Sequence, residues 1–120
     1  MSWDALYAAR AHIATACASA KVPSIDVPYL DLDNLDGLAD DVGRVKAMGF
    51  TAKSVVHPKH IPVVHRVMRP TAAEIAEAHE AEAAYAAAGE SAVRWNGKML
   101  EAPVMARYRR ILALQELSNA

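Results

Sequence analysis

Gly49-Phe50-Thr51-Ala52-Lys53-Ser54-Val55-Val56-His57-Pro58-Lys59-His60-Ile61-Pro62 is the stretch that decides the fold. Gly49 reads as the glycine that closes a helix. Ser54-Val55-Val56 is short, β-branched and apolar, the pattern of a buried parallel strand, and predicts a strand over 52–57. That strand stops at His57-Pro58, because a proline withdraws a ladder donor. Pro62 falls in the first turn of a new helix, where a missing N–H costs little. The order is helix, strand, histidine-bearing loop, helix. This is one βα step of an α/β protein, with polar groups at the strand's carboxyl end, where ligands of such folds collect.

Toward the amino terminus, residues 3–20 read as a helix with an apolar stripe of Leu6, Ala9, Ile13, Ala16 and Ala20, and with Arg10 off that stripe. Val22 to Pro28 reads as a strand bracketed by prolines. A loop with Asp31 and Asp33 leads to a second helix, capped by Asp33 or Asn34, with Leu35, Leu38, Val42 and Val45 inward. A short helix after the second strand turns Ile61, Val64 and Met68 inward. Two strands joined by a helical crossover are parallel and right-handed. A parallel pair alone leaves both edges unpaired, so strands are expected from elsewhere.

After Arg69-Pro70 the character changes. Thr71-Ala72-Ala73-Glu74 fits a capping box, and the helix behind it carries Ile75, Ala78, Ala81, Tyr85 and Ala88 on one face. Asn96-Gly97 between Val93-Arg94-Trp95 and Lys98-Met99-Leu100 predicts a hairpin. Pro103 opens a last helix with Val104, Tyr108, Ile111 and Leu112 inward.

The totals bound the partners. A net charge of -1 gives no electrostatic reason to expect nucleic acid or an acidic membrane. Cys17 is the one cysteine, which excludes an internal disulfide and fits a reducing, cytoplasmic setting. No apolar run is long enough to span a bilayer, and Met1-Ser2-Trp3-Asp4 lacks the basic region of a secretory signal.

Four segments in order resemble the C-terminal part of the HpcH/HpaI aldolase and citrate lyase β-subunit superfamily, which includes malyl-CoA and citramalyl-CoA lyases. They are Ile25-Asp26 through Asp31 with Asp36-Gly37-Leu38, Gly49-Phe50-Thr51-Ala52-Lys53 into Val56-His57-Pro58, Arg69-Pro70-Thr71 with Glu74-Ile75, and Asn96-Gly97-Lys98-Met99-Leu100-Glu101-Ala102-Pro103. Ala52 stands where a glycine is usual in that pattern, His60 where glutamine is usual and Glu101 where aspartate is common. The resemblance implies an α/β fold: the last two parallel strands of a TIM (β/α)8 barrel with their helices over 1–69, then a helix–hairpin–helix extension over 70–120 that packs on neighbouring subunits. A whole barrel takes on the order of 250 residues.

It also implies a chemistry: Mg²⁺-dependent cleavage or formation of a carbon–carbon bond beside the carbonyl of an acyl-CoA thioester. The metal carboxylates and a substrate arginine belong to earlier strands, so no residue of this chain is assigned to the metal. Glu101 matches the acid that reaches a neighbour's site for proton transfer; it also suits a carboxylate diagonal to Arg94 and ahead of a helix N-terminus. Asp26, Asp31, His57 and Pro58 follow the two strands and are candidates for contact with the substrate or the CoA arm. Asp31 equally fits a turn cap, and His57 a ring that locks its loop. A His57/His60 metal pair has no third ligand near it, and Asp31 to Gly37 departs from a calcium loop in its glycine and at Val42.

Three functional readings follow. The first is the C-terminal fragment of a Mg²⁺-dependent lyase acting on a 3-hydroxyacyl-CoA such as malyl-CoA or citramalyl-CoA, inactive without its other strands. The second is a non-catalytic relative that serves as an oligomerisation or partner-binding module. The third is a small acid–base enzyme using His57 and an aspartate.

Overall fold

A computed structural model describes residues 2–119, and the chain divides into two compact units, Met1–Met68 and Arg69–Ala120. The first runs α1 (Trp3–Ala20), β1 (Ile25–Asp26), α2 (Leu35–Met48), β2 (Ala52–Lys53), a 3₁₀ turn (Pro58–His60) and α3 (Ile61–Met68). The second runs α4 (Ala72–Ala87), β3 (Val93–Trp95), β4 (Lys98–Leu100) and α5 (Ala102–Asn119). Among the described residues no helix is long and apolar enough to cross a membrane.

β1 and β2 pair in parallel, Ile25 beside Ala52 and Asp26 beside Lys53. Both strands are shorter than the expected 22–28 and 52–57. Ser54 N donates to Asp26 O at 3.0 Å, and the ladder ends there. Beyond it Pro28 has no N–H to offer, and Pro23 limits the other end of β1. The pleat sends successive residues of a strand to opposite faces, so the Asp26–Lys53 pair shares one face and the Ile25–Ala52 pair the other. Asp26 and Lys53 are buried, whereas Ile25 is 65% exposed. Val55 and Val56 are also exposed, contrary to the buried strand their composition suggests, because no described strand or helix covers them.

Helix α1 presents a different face from the one expected. Arg10 and Ala14 are its buried residues, with Trp3, Leu6 and Cys17 half-buried on the same side. Ile13, Ala9, Ala16 and Ala20 are exposed. The arginine goes inward because an acid waits for it, as the site shows below. Ser2 caps α1, Ala5 N donating to its Oγ.

Asn34 caps α2 by accepting from Gly37 N at 2.9 Å, and Gly49 closes it at φ 103°, as the sequence indicated. Leu38, Val42 and Val45 are fully buried. Leu38 and Val42 pack on Val63 and Val64 of α3, and Val45 joins Ala14 and Phe50. In α3 Val63 and Val64 are buried while Ile61 is exposed, and His60 of the 3₁₀ turn just before it is fully buried.

In the second unit both halves of the capping box form: Glu74 N donates to Thr71 Oγ1, and Thr71 N to Glu74 Oε2, each at 3.1 Å. Asn96 and Gly97 take φ of 47° and 74°, the left-handed pair a two-residue hairpin requires. Pro103 is the second residue of α5 rather than its first. Ala78, Ala81, Tyr85, Leu100, Met105 and Tyr108 form the core of this unit. Trp95 meets Tyr108 edge to face, 6.4 Å between centroids.

Candidate functional site

Four charged residues from four successive elements meet between the β1–β2 pair and the helices. Arg10 of α1 donates from Nε and Nη2 to the two oxygens of Asp26, at 2.9 and 2.8 Å. Lys53 of β2 donates to Asp26 Oδ2 at 2.7 Å and to Asp41 Oδ2 of α2 at 2.5 Å. Arg10 also reaches Asp41 at 3.4 Å. The Lys53 ammonium is fully buried, and Asp26 and Arg10 nearly so. Two cations face two carboxylates, so the group is formally neutral, which is what burial of charge requires. Burial pushes the Asp26 carboxyl up, but hydrogen bonds from Arg10 and Lys53 outweigh it and hold the group below the usual carboxylate range. Burial likewise works to lower Arg10, and its bonds to Asp26 with the charge of Asp41 keep it above its ordinary value. The Arg10 guanidinium lies 4.8 Å from the centre of the Trp3 ring, and Arg44 lies 5.2 Å from it.

A cleft of about 330 Å³ opens beside this group, lined by Trp3, Arg10, Tyr29, Asp31, Asp41 and Arg44 among others. Asp31 is exposed at its rim. Its Oδ1 accepts from the backbone N–H groups of Asp33 and Asn34 at 3.2 and 3.3 Å, closing the turn that caps α2. Gly37 is tightly held there. A Cβ on it would stand 2.3 Å from the Tyr29 hydroxyl and 2.5 Å from Asn34 Nδ2, and those two groups are themselves 3.3 Å apart.

The turn after β2 carries His57, Pro58, Lys59 and His60. His57 is exposed, and its Nδ1 accepts from Lys59 N at 3.2 Å, so the ring caps the 3₁₀ turn that Pro58 opens. Lys59 Nζ pairs with Asp33 at 2.5 Å, and the fully buried His60 places Nε2 3.2 Å from Leu32 O. The structure therefore brings Asp31, His57 and Pro58 onto two linked turns at the carboxyl ends of β1 and β2. Asp26 sits apart from them, its carboxylate turned to the helix side.

Glu101 belongs to the other unit. It is exposed just ahead of α5, its carbonyl accepts from Met105 N at 2.9 Å, and its carboxylate has no hydrogen-bond or ion-pair partner among the described residues. Nearby, Glu77 accepts from Lys98 and from the Tyr108 hydroxyl, each at 2.9 Å. Arg109 pairs with Glu82 and Glu90. His12, His65 and His79 are exposed on helices.

Among the described residues no three His, Cys, Asp or Glu side chains gather to hold a metal ion. Asp26 and Asp41 already spend their charge on Arg10 and Lys53. The sequence reading missed Arg10, Asp41 and Lys53. The usable signal was Asp26 itself: an acid alternating with Ile25 and Val27 in a strand implies a cation across from it.

A family described as C-C_Bond_Lyase of the TIM-Barrel fold matches residues 7–116. The chain belongs to this carbon–carbon bond lyase family. It is 38% identical over 114 residues to the citrate lyase subunit beta of Escherichia coli strain K12, covering 92% of this chain and 38% of that protein. It is 35% identical to the mitochondrial citramalyl-CoA lyase of Rattus norvegicus, with 92% and 33% covered. Among solved structures it resembles the protein CitE of Mycobacterium tuberculosis in complex with magnesium, acetoacetate and coenzyme A: TM-score 0.81, 26% identity, 95% of this chain and 42% of that one. The chain thus spans little more than a third of the length of the curated relatives it matches.

Proposed function

We propose that this chain supplies the last two strands of a TIM barrel, with their helices and a C-terminal extension, to a lyase that breaks a carbon–carbon bond in a 3-hydroxyacyl-CoA such as malyl-CoA or citramalyl-CoA. One observation carries the reading: a parallel pair whose helix side is sealed by a neutral four-charge group, while Ile25, Val27, Val55 and Val56 stand exposed around it. A lone pair of parallel strands is not a stable sheet. The bare residues are where the other strands and the barrel interior belong.

In this reading Mg²⁺ is held by carboxylates of the earlier strands and supplies Lewis-acid polarisation when bound. The residues present here do other work. Asp31, His57 and Pro58 line the ligand side at the strand ends, within reach of substrate or the CoA arm. Asp26 contributes by fixing β1 against α1 and β2. Glu101, unpaired among the described residues, moves a proton to or from the carbon beside the thioester, in the active site of a neighbouring subunit. Residues 70–120 form the extension that carries it there.

The test is a lyase assay with malyl-CoA or citramalyl-CoA and Mg²⁺. The 120-residue chain alone is expected to be inactive, and activity is expected when it is combined with the preceding barrel portion of a family member. Mg²⁺-dependent cleavage by the chain alone would overturn the reading. A stable complex with no activity would favour the second reading, a non-catalytic assembly module, which the same exposed sheet face supports.

A further inference from the structure

We propose that His60 is a positioning residue, a latch that holds the turn bearing Asp31 against the turn bearing His57 and Pro58 through a hydrogen bond from Nε2 to the Leu32 carbonyl. The inference concerns this chain as it stands and does not depend on the lyase reading.

His60 is fully buried, 28 residues from Leu32 in sequence and 3.2 Å from its carbonyl in space. A carbonyl only accepts, so the ring carries its proton on Nε2. The other nitrogen, Nδ1, is buried with no partner among the described residues. A buried polar atom left unpaired is unfavourable and calls for an explanation. An aliphatic side chain would fill the space beside Val63 and Val64 without that penalty. What it would lose is the bond to Leu32.

The segment at Leu32 has few other anchors. Leu30 and Leu32 are themselves exposed, and among the described residues the Asp31 side chain bonds only to the backbone of Asp33 and Asn34. Lys59–Asp33 is the second link to the β2 turn, but Asp33 is 93% exposed there, and solvated ion pairs contribute little. His60–Leu32 is therefore the less solvated of the two ties, its donor ring wholly out of water. It connects the two places where an α/β ligand would be gripped, so the distance between Asp31 and His57 follows from it.

The test is nuclear magnetic resonance on the full chain, with His60→Gln and His60→Phe. Glutamine retains an amide donor of similar reach; phenylalanine fills the space without one. In the wild type the imidazole nitrogens of His60 are expected to show Nε2 protonated and Nδ1 bare. Backbone order parameters over 31–34 are expected to be near the rigid value of about 0.85 in the wild type and in His60→Gln, and to fall below about 0.6 in His60→Phe. The proposal is overturned if Nδ1 carries the proton, if a folded His60→Phe keeps 31–34 rigid, or if His60→Gln loosens them as much as phenylalanine does. Should His60→Phe not fold, the tautomer and the glutamine variant decide the matter.

Discussion

Arg10 and Asp26 show how one buried ion pair sets the orientation of a helix. Turning Arg10 inward places its guanidinium on both oxygens of Asp26 and puts Ile13 in water. Breaking such a pair from one side leaves a buried charge unmatched, which costs roughly 3–5 kcal/mol. Asp26→Asn is expected to lower the unfolding free energy by about that amount at neutral pH, measured by urea denaturation. The pH dependence has a definite sign. Asp26 in the folded chain lies below its unfolded value of about 3.9, so its contribution is complete above that value and is lost as pH falls through the folded one. The stability gap between wild type and Asp26→Asn should therefore shrink in acid; a constant gap would contradict the assignment. Gly37 gives a second residue-level test. Gly37→Ala is expected to cost about 1–3 kcal/mol through overpacking against Tyr29 and Asn34. Adding Tyr29→Phe removes the hydroxyl and should recover part of that loss in a double-mutant cycle.

At the scale of elements, local signals with a chemical cause were legible and signals of burial were less so. Asn34, Gly49, the Thr71–Glu74 box and the Asn96-Gly97 turn could be read because each answers a backbone need within a few residues. Thr71→Ala removes one arm of the box and is expected to destabilise the second unit by about 1 kcal/mol, seen as a lower denaturation midpoint. The inward face of α1 was not legible, and at α3 the reading found Val64 and Met68 but missed Val63 and the buried His60 just ahead of the helix. Periodicity assigns apolar residues to the interior, but here Arg10 and His60 take interior positions because Asp26 and the Leu32 carbonyl receive them. Those partners are 16 and 28 residues away, beyond any local pattern. The strands were over-extended in the reading for a related reason: Val55 and Val56 have strand composition but no described neighbour to pair with.

For the whole chain, the family was legible from four ordered segments, and the family match over 7–116 agrees. Asp31, His57 and Pro58 lie at the strand ends, while the charged group that fixes β1 and β2 needed coordinates to be seen. The account rests on the claim that the exposed side of the β1–β2 pair is where the remainder of a barrel docks. Methyl resonances read this directly when the chain is titrated with the preceding barrel portion of a family member. The account predicts that Ile25, Val27, Val55 and Val56 shift while Leu38 and Val42, already sealed against α3, stay in place. Shifts confined to other residues, with those four methyl-bearing side chains unmoved, would contradict it.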